Sequence, residues 1–352
     1  MAAADLTGGN RVIATYAERL ARRGHTVTVV SRPRKRPPLK RRVKAWLQRK
    51  PLPPYVAYLP SHLDDLPGVE HKRIESHRPI TADDVPNADV VIATWWETAE
   101  WVAAYPPGKG RKAYFVQHYE AHPGQDTARV DATWRLPLHK IIIARWMADL
   151  ARDKFGDGDI SMAPNAVDHD LFHAPPRGRH PVPTVGTMYS VDSYKAAEIA
   201  IRAVELARQT VPNLRLVSFG NCPPIPAIPL PAGTDYVVRP PQDQIRDRYA
   251  ACDAWIVASR SEGFGLPILE AMACRTPVLA TPTGAAPELI AGGGGVLVPY
   301  DDPPAIAEQI VRLMTMPEPD WRSVSDAAYA TAQANQWDHA TDVFEAALAK
   351  AR

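Results

Sequence analysis

Residues 254–273 read AWIVASRSEGFGLPILEAMA. The run from Ala254 to Ala258 is short and apolar, the pattern of a buried strand, and it gives way to Ser259 and Arg260. Two glycines, Gly263 and Gly265, then permit close backbone approach, and Pro267 suits the first turn of a helix over 266–273. Strand, glycine loop and helix start, in that order, make an anion site. Amides at the helix N-terminus point at a negative group, and the helix dipole favours its charge. Glu270 falls about one turn into the helix, where a carboxylate can accept two hydrogen bonds from a vicinal diol such as a ribose. Glu262, eight residues earlier on the loop, is placed to do the same for a sugar ring beyond the phosphates. The stretch fits a sugar nucleotide.

Outward from this segment, apolar runs alternate with amphipathic helical patterns almost from end to end, the signature of parallel α/β architecture. Strands are predicted at 26–31, 89–94, 112–117, 140–143 and 159–162, and again at 183–188, 214–219, 235–238, 254–258, 277–280 and 296–298. Helices are predicted at 10–23, 193–209, 242–250, 266–273, 304–313 and 337–349. A segment rich in Pro, His, Arg and Gly, residues 164–183, separates two blocks of comparable size and reads as a linker. The expected division is 1–163, linker 164–183, 184–330, and a C-terminal helix within 331–352 that returns to the first domain. A length of 352 residues also exceeds what one core usually supports. Hydrophobic content of 45% with 23% charged residues is that of a globular chain and argues against disorder. Cys222, Cys252 and Cys274 share no metal-ligand spacing and are odd in number, so free thiols are expected. Neither a three-glycine dinucleotide fingerprint nor a P-loop occurs, which disfavours a nicotinamide enzyme or an ATPase.

Glu262 and Glu270, set within Ser-Glu-Gly-Phe-Gly-Leu-Pro-Ile-Leu-Glu-Ala-Met-Ala, resemble the signature of family-4 retaining glycosyltransferases. The resemblance extends along the chain through Gly8 and Gly9 before a helix, Arg23-Gly24-His25-Thr26-Val27, His118 after a strand, Pro164-Asn165-Ala166-Val167-Asp168, Lys195, and the glycine turn before Glu288. It implies a GT-B fold, in which two Rossmann-like α/β domains with parallel sheets face each other across a cleft. It implies as well that Glu262 holds sugar hydroxyls, that Gly263, Phe264, Gly265 and Leu266 meet sugar and phosphates through backbone, and that Glu270 takes the ribose. Lys195 would neutralise the departing diphosphate, and His118 would contact the transferred sugar. Gly9, Gly186 and Arg239 complete the expected donor surface. The family usually carries an Arg five residues before the Lys, where this chain has Ser190; either Arg239 or Arg260 is left to replace it.

The implied reaction moves a sugar from a nucleoside diphosphate to a hydroxyl acceptor with retained configuration, no metal and no cofactor beyond the sugar nucleotide itself. Implied partners are a UDP-, GDP- or dTDP-sugar donor and a glycan or lipid-linked acceptor, with no nucleic acid, in cell-envelope or polysaccharide synthesis. A donor-binding but catalytically weak subunit, and a GT-B sugar phosphorylase or epimerase, stay open as alternatives. Asp157-Gly158-Asp159 has carboxylate spacing used by metal-dependent transferases, yet it lies in a glycine turn. Asp168 to His173 alternates acids with histidines in a segment that favours a turn.

Two features lie outside this pattern. A doubly wound sheet places its first strand centrally, and residues 1–7 are too short and polar to supply one. The expectation is a sequence that begins late, with an apolar run of about five residues encoded upstream. The second feature is charge: residues 31–50 hold ten Lys or Arg and no acid, against a net charge of +2 for the whole chain. Within them Leu39, Val43, Trp46 and Leu47 share one helical face. Such a helix either lies on an anionic membrane through residues 32–50 or docks on its own domain. No apolar run of spanning length and no secretion signal is present, so the expected location is cytoplasmic, peripheral at the inner membrane face if the helix docks there.

Overall fold

Val12, Tyr16 and Leu20 recur at four-residue spacing, and that stripe is the buried face of α1 (Gly8–Arg22). Gly24, at φ +94°, follows it as a left-handed stop. The computed structural model describes residues 1, 4–48, 55–122 and 124–351. They divide into two units: Met1–Ile143, Met147–Ala163 and Thr341–Arg352 form unit 1, and Ala144–Trp146 with Pro164–Ala340 form unit 2.

After α1 come β1 (Val27–Ser31), α2 (Leu39–Leu47), β2 (Val69–Arg73), β3 (Val90–Ala93), α3 (Trp96–Ala103), β4 (Arg111–Val116), α4 (Thr127–Thr133), β5 (His139–Ile142), α5 (Arg145–Phe155) and β6 (Ile160–Met162). Every pairing is parallel, and the strands form two separate sheets, β1-β2 and β3-β4-β5-β6. Strand β5 is buried throughout, as parallel sheets covered on both faces require. Strand β2 was not expected. Its residues, Val-Glu-His-Lys-Arg, carry no apolar alternation; it is a strand because it pairs with β1, and an edge strand with charged side chains is common.

The stripe on α2 does not dock on its own domain. Leu39, Val43, Trp46 and Leu47 are 70%, 46%, 78% and 69% exposed. Arg49 and Lys50 of the basic segment lie outside the described residues.

Unit 2 carries β7 (Thr184–Tyr189), α6 (Ala197–Ala207), β8 (Arg215–Gly220), β9 (Asp235–Val238), α7 (Gln242–Ala250), β10 (Ala254–Val257), α8 (Leu266–Ala273), β11 (Val278–Ala280), α9 (Ala286–Ile290), β12 (Gly295–Leu297), α10 (Pro303–Thr315), α11 (Glu318–Ala334) and the start of α12 (Trp337–Leu348). Its strands make one parallel sheet in the order β12-β11-β10-β7-β8-β9. Val185, Leu216, Ile256 and Leu279 of the sheet pack on Ala200 and Val204 of α6 and on Ile306 and Ile310 of α10. Residues 164–183 belong to this unit, fastened by the buried Asp253: its two oxygens accept from the amides of His180 and Thr184 at 2.8 and 2.9 Å.

The helix expected at 193–209 is broken. Ser193–Lys195 forms a single 3₁₀ turn, Ala196 is left-handed at φ +49°, and α6 starts only at Ala197. A left-handed alanine costs about 1–2 kcal/mol, so its neighbours must hold it there. Ala196 is fully buried in the core, and the Arg260 amide donates to Tyr194 O at 2.7 Å. Helix α11 was also unforeseen; Trp321 anchors it by donating from Nε1 to Asp253 O at 3.0 Å. In unit 1, Phe344 of α12 stacks on Tyr16 at 4.2 Å while Phe115 meets both rings edge-on.

Candidate active site

Strand β10 is buried along its length, and its chain leaves the core after the buried Ser259, at Arg260. Gly265, left-handed at φ +93°, turns the loop into α8, with Pro267 in the first turn. A second turn closes over the loop. There Gly284 has φ +58°, and a Cβ on it would sit 2.6 Å from Phe264 O, so only glycine fits. Ala285 N donates to Phe264 O at 2.8 Å, and Glu262 N donates to Thr283 Oγ1 at 2.9 Å. From the other side Trp146 Nε1 donates to Gly263 O at 2.9 Å. Phe264 is buried, so only its backbone is available to a ligand.

Glu262 is the centre of the polar contacts on this loop. Its Oε1 receives the Lys195 ammonium at 2.7 Å and the Ser259 hydroxyl at 2.7 Å, with the Lys195 and Glu262 side chains 17% and 10% exposed. The 3₁₀ turn that carries Lys195 is tied to the loop by Arg260. This guanidinium bonds Ser193 O, Glu198 at 2.8 Å and Asp301 at 2.6 Å. In this structure Arg260 thus holds the turn that carries Lys195. Arg239 lies exposed just past β9 at φ +49°, with Nε donating to Asn221 O at 2.7 Å. Ser190, at the position of the missing Arg, is buried and closes a turn by accepting from Asp192 N at 3.1 Å.

Glu270 lies on α8 and is 6% exposed, and its Oε2 accepts from the Tyr249 hydroxyl at 2.8 Å. Gly186 is a correction. It sits in the middle of β7, where a Cβ would meet the Trp255 ring at 2.2 Å and Cys252 Sγ at 2.7 Å. This glycine makes room for the tryptophan under the sheet. In unit 1, Gly9 meets the chain just past β4, where Gln117 Nε2 donates to Gly9 O at 3.2 Å; His118 is the next residue along. The structure thus gathers Lys195, Glu262 and residues 263–266 at one loop of unit 2, and in unit 1 sets Gly9 against Gln117, the neighbour of His118.

Residues 6–171 match the profile of glycosyltransferase family 4, and residues 180–316 that of the glycosyl transferases group 1. Together the two matches span most of the chain, and in both halves it resembles the glycosyltransferases. It is 32% identical over 231 residues to a D-inositol 3-phosphate glycosyltransferase of Nocardiopsis dassonvillei, a match covering 56% of this chain and 53% of that protein. The chain spans about half, or less, of the length of the curated relatives it matches. Among solved structures, sucrose-phosphate synthase of Thermosynechococcus elongatus superposes with a TM-score of 0.74 at 18% identity, over 97% of this chain and 92% of that one. Anabaena HepE in complex with UDP and glucose superposes with a TM-score of 0.73 at 17% identity, over 99% of each chain. Both likenesses show the GT-B fold.

Several groups around the loop that opens α8 were not singled out from the sequence. Ser259 could have been, because Ser-x-x-Glu spacing brings a hydroxyl to a carboxylate one turn on. Thr283, Trp146 and Tyr249 could not, since each reaches its partner from 20 or more residues away. The two acidic motifs that suggested metal have other work. Asp157 pairs with Lys140 Nζ at 2.7 Å, and Asp168 Oδ1 accepts from Asp170 N and Leu171 N to close a turn.

Proposed function

We propose that this chain transfers a sugar from a nucleoside diphosphate donor to a hydroxyl acceptor with retained configuration. The observation that carries the reading is the Lys195–Glu262 pair standing over the glycine loop that opens α8. Glu262 holds sugar hydroxyls, and the backbone of residues 263–266 receives the diphosphate. Lys195 neutralises the charge that builds on the departing phosphate, and Glu270 takes the ribose. The bond from the anomeric carbon to the phosphate oxygen breaks as the acceptor oxygen bonds on the same face, and the acceptor proton passes to the departing phosphate. Catalysis of this kind rests on charges fixed in advance around the leaving group and calls on no metal and no cofactor. His118 contacts the transferred sugar, and Arg239 supplies the outlying cation.

The donor is a UDP-, GDP- or dTDP-sugar; UDP leads because HepE is described with UDP and glucose. The acceptor is a glycan or lipid-linked glycan of the cell envelope, on the inner face of the membrane, where the exposed apolar and basic faces of α2 would meet anionic lipid. Among the described residues no helix is long and apolar enough to cross a membrane. Thermal-shift titration with UDP, GDP, dTDP and ADP, followed by an assay for nucleotide release with the donor that binds, tests the reading. One nucleotide should raise the melting temperature and its sugar conjugate should turn over. Binding without release in the presence of candidate acceptors would reject transferase activity.

A further inference from the structure

Lys195 has to keep its place when the contact it makes at rest is shared out. At rest its ammonium is matched by Glu262; in the proposed mechanism a donor draws the carboxylate to the sugar and the ammonium to the diphosphate. Residues 191–194, which lead into Lys195, are exposed, and a short exposed turn opens easily on its own. What holds it during transfer must come from elsewhere in the protein.

Arg260 grips the turn with backbone and side chain together. Its amide donates to Tyr194 O at 2.7 Å and its Nη1 donates to Ser193 O, so one residue binds two successive carbonyls. Nη2 reaches Glu198, in the first turn of α6, at 2.8 Å, and Nε donates to Asp301 Oδ1, beyond β12, at 2.7 Å. Ser193 and Glu198 bracket Lys195 in the chain, and Asp301 anchors the fork to the loop ahead of α10. That loop is tied in turn to the Glu262 side. Tyr300 Oη donates to Pro282 O at 2.7 Å, and the next residue, Thr283, accepts from Glu262 N at 2.9 Å. The frame therefore closes on itself, from Lys195 through Arg260 and Asp301 to Glu262.

The backbone is left-handed at two points of this frame. Ala196, directly after Lys195, and Asp301, which anchors Arg260, have φ of +49° and +52° although neither is glycine. Such strain persists only where the surroundings impose it, and it concentrates at functional sites. Charge points the same way. Glu198 and Asp301 flank the guanidinium, so a diphosphate drawn to Arg260 itself would meet two negative charges.

We infer that Arg260 is a positioning residue for the transfer: it fixes the backbone that carries Lys195 and acts on the departing diphosphate only through that lysine. The inference rests on the reading of Lys195 as the cation for the leaving group. A planar fork suits this set of partners, and the point charge of a lysine does not.

The test uses the full chain with Arg260→Ala, Arg260→Lys, and the double variant Glu198→Gln/Asp301→Gly. The last frees the guanidinium and puts glycine where the backbone is left-handed, so it stands in if Arg260→Ala does not fold. Nucleotide release from UDP-glucose gives kcat and KM, calorimetry gives UDP and UMP affinities, and hydrogen exchange follows residues 193–197; the GDP or dTDP set is used if that nucleotide binds instead. All three variants should lower kcat by more than about fivefold, move KM and the ratio of UDP to UMP affinity by less than about twofold, and speed exchange at 193–197 by more than about tenfold. Adding Arg260→Ala to Lys195→Ala should cost less than about twofold more. A direct phosphate contact reads differently: Arg260→Lys or the double variant would keep kcat, or Arg260→Ala would cut the UDP to UMP ratio by about tenfold, and any of these overturns the inference. If the unsubstituted chain releases no nucleotide, the transferase reading fails by itself. Exchange at 193–197 then decides the role of Arg260, upheld if the variants speed it and overturned if they do not.

Discussion

Lys195 Nζ lies 2.7 Å from Glu262 Oε1, although 67 positions separate the two residues in the chain. Before any donor arrives, the cation for the leaving group and the carboxylate for the sugar satisfy each other. Donor binding must share this pair between two ends of one ligand. Lys195→Ala and Glu262→Gln should each lower kcat/KM by about 10- to 100-fold, the value of a charge-assisted hydrogen bond. The double variant should lose much less than the product of the two, because each single change leaves a mostly buried partner unmatched. A rate cycle over the four proteins measures this coupling, and strict additivity would show that the pair does not act as a unit.

Glu270 has a structural partner as well as its proposed ligand. Glu270→Gln keeps an acceptor for the Tyr249 hydroxyl but removes the charge, and should weaken nucleotide binding by about tenfold. Tyr249→Phe should cost about 1 kcal/mol of stability and leave nucleotide affinity nearly unchanged. Calorimetric titration beside urea melts separates the two, and parallel losses in both variants would place Glu270 in the scaffold.

Gly186→Ala tests the correction made at β7. A methyl group 2.2 Å from the Trp255 ring forces the sheet or the ring to move, at a cost of about 1–3 kcal/mol. The urea midpoint should fall and Trp255 fluorescence should shift, while nucleotide affinity measured well below the melting temperature stays put.

Glu120 gives unit 1 a dependence on pH. Burial, reinforced by the nearby Glu97 carboxylate, pushes its pKa up to about 8, and its Oε2 is enclosed without a hydrogen-bond partner. Because the folded value exceeds the unfolded one, the folded chain holds an extra proton between the two values. This contribution is complete at the acid end and is lost as pH rises through 8. Glu120→Gln should flatten that decline, leaving the variant relatively more stable at pH 8.5 than at pH 5. Urea melts at about these two values decide it.

The exposed stripe of α2 predicts a lipid response. Trp46 emission should shift to the blue with vesicles containing anionic lipid and stay unchanged with neutral ones, and salt should reverse the shift. Replacing Trp46 and Leu47 together by Ser should abolish co-sedimentation without altering nucleotide binding. Retention of full vesicle binding would assign the contact elsewhere.

Where residues speak through local spacing, the structure agrees with the sequence closely. The loop from β10 into α8 was legible to the residue, because an apolar run, two glycines and a proline impose their conformations locally. Strand β2 and helix α11 were not. The first is polar and takes its conformation from β1; the second is held by Trp321 reaching Asp253, far away in the chain. Gly186 was misread because glycine leaves the same mark whether it makes room for a ligand or for a tryptophan.

By itself, then, the sequence determined the alternation of strands and helices, the glycine loop, and the two acids that flank it. These depend on periodicity and on backbone freedom, which nearest neighbours encode. Tertiary structure alone decided that Glu262 meets Lys195 and that Arg260 bonds the turn carrying Lys195. Such choices are made by contacts between segments far apart in the chain, and their energies exist only once the core has brought those segments together.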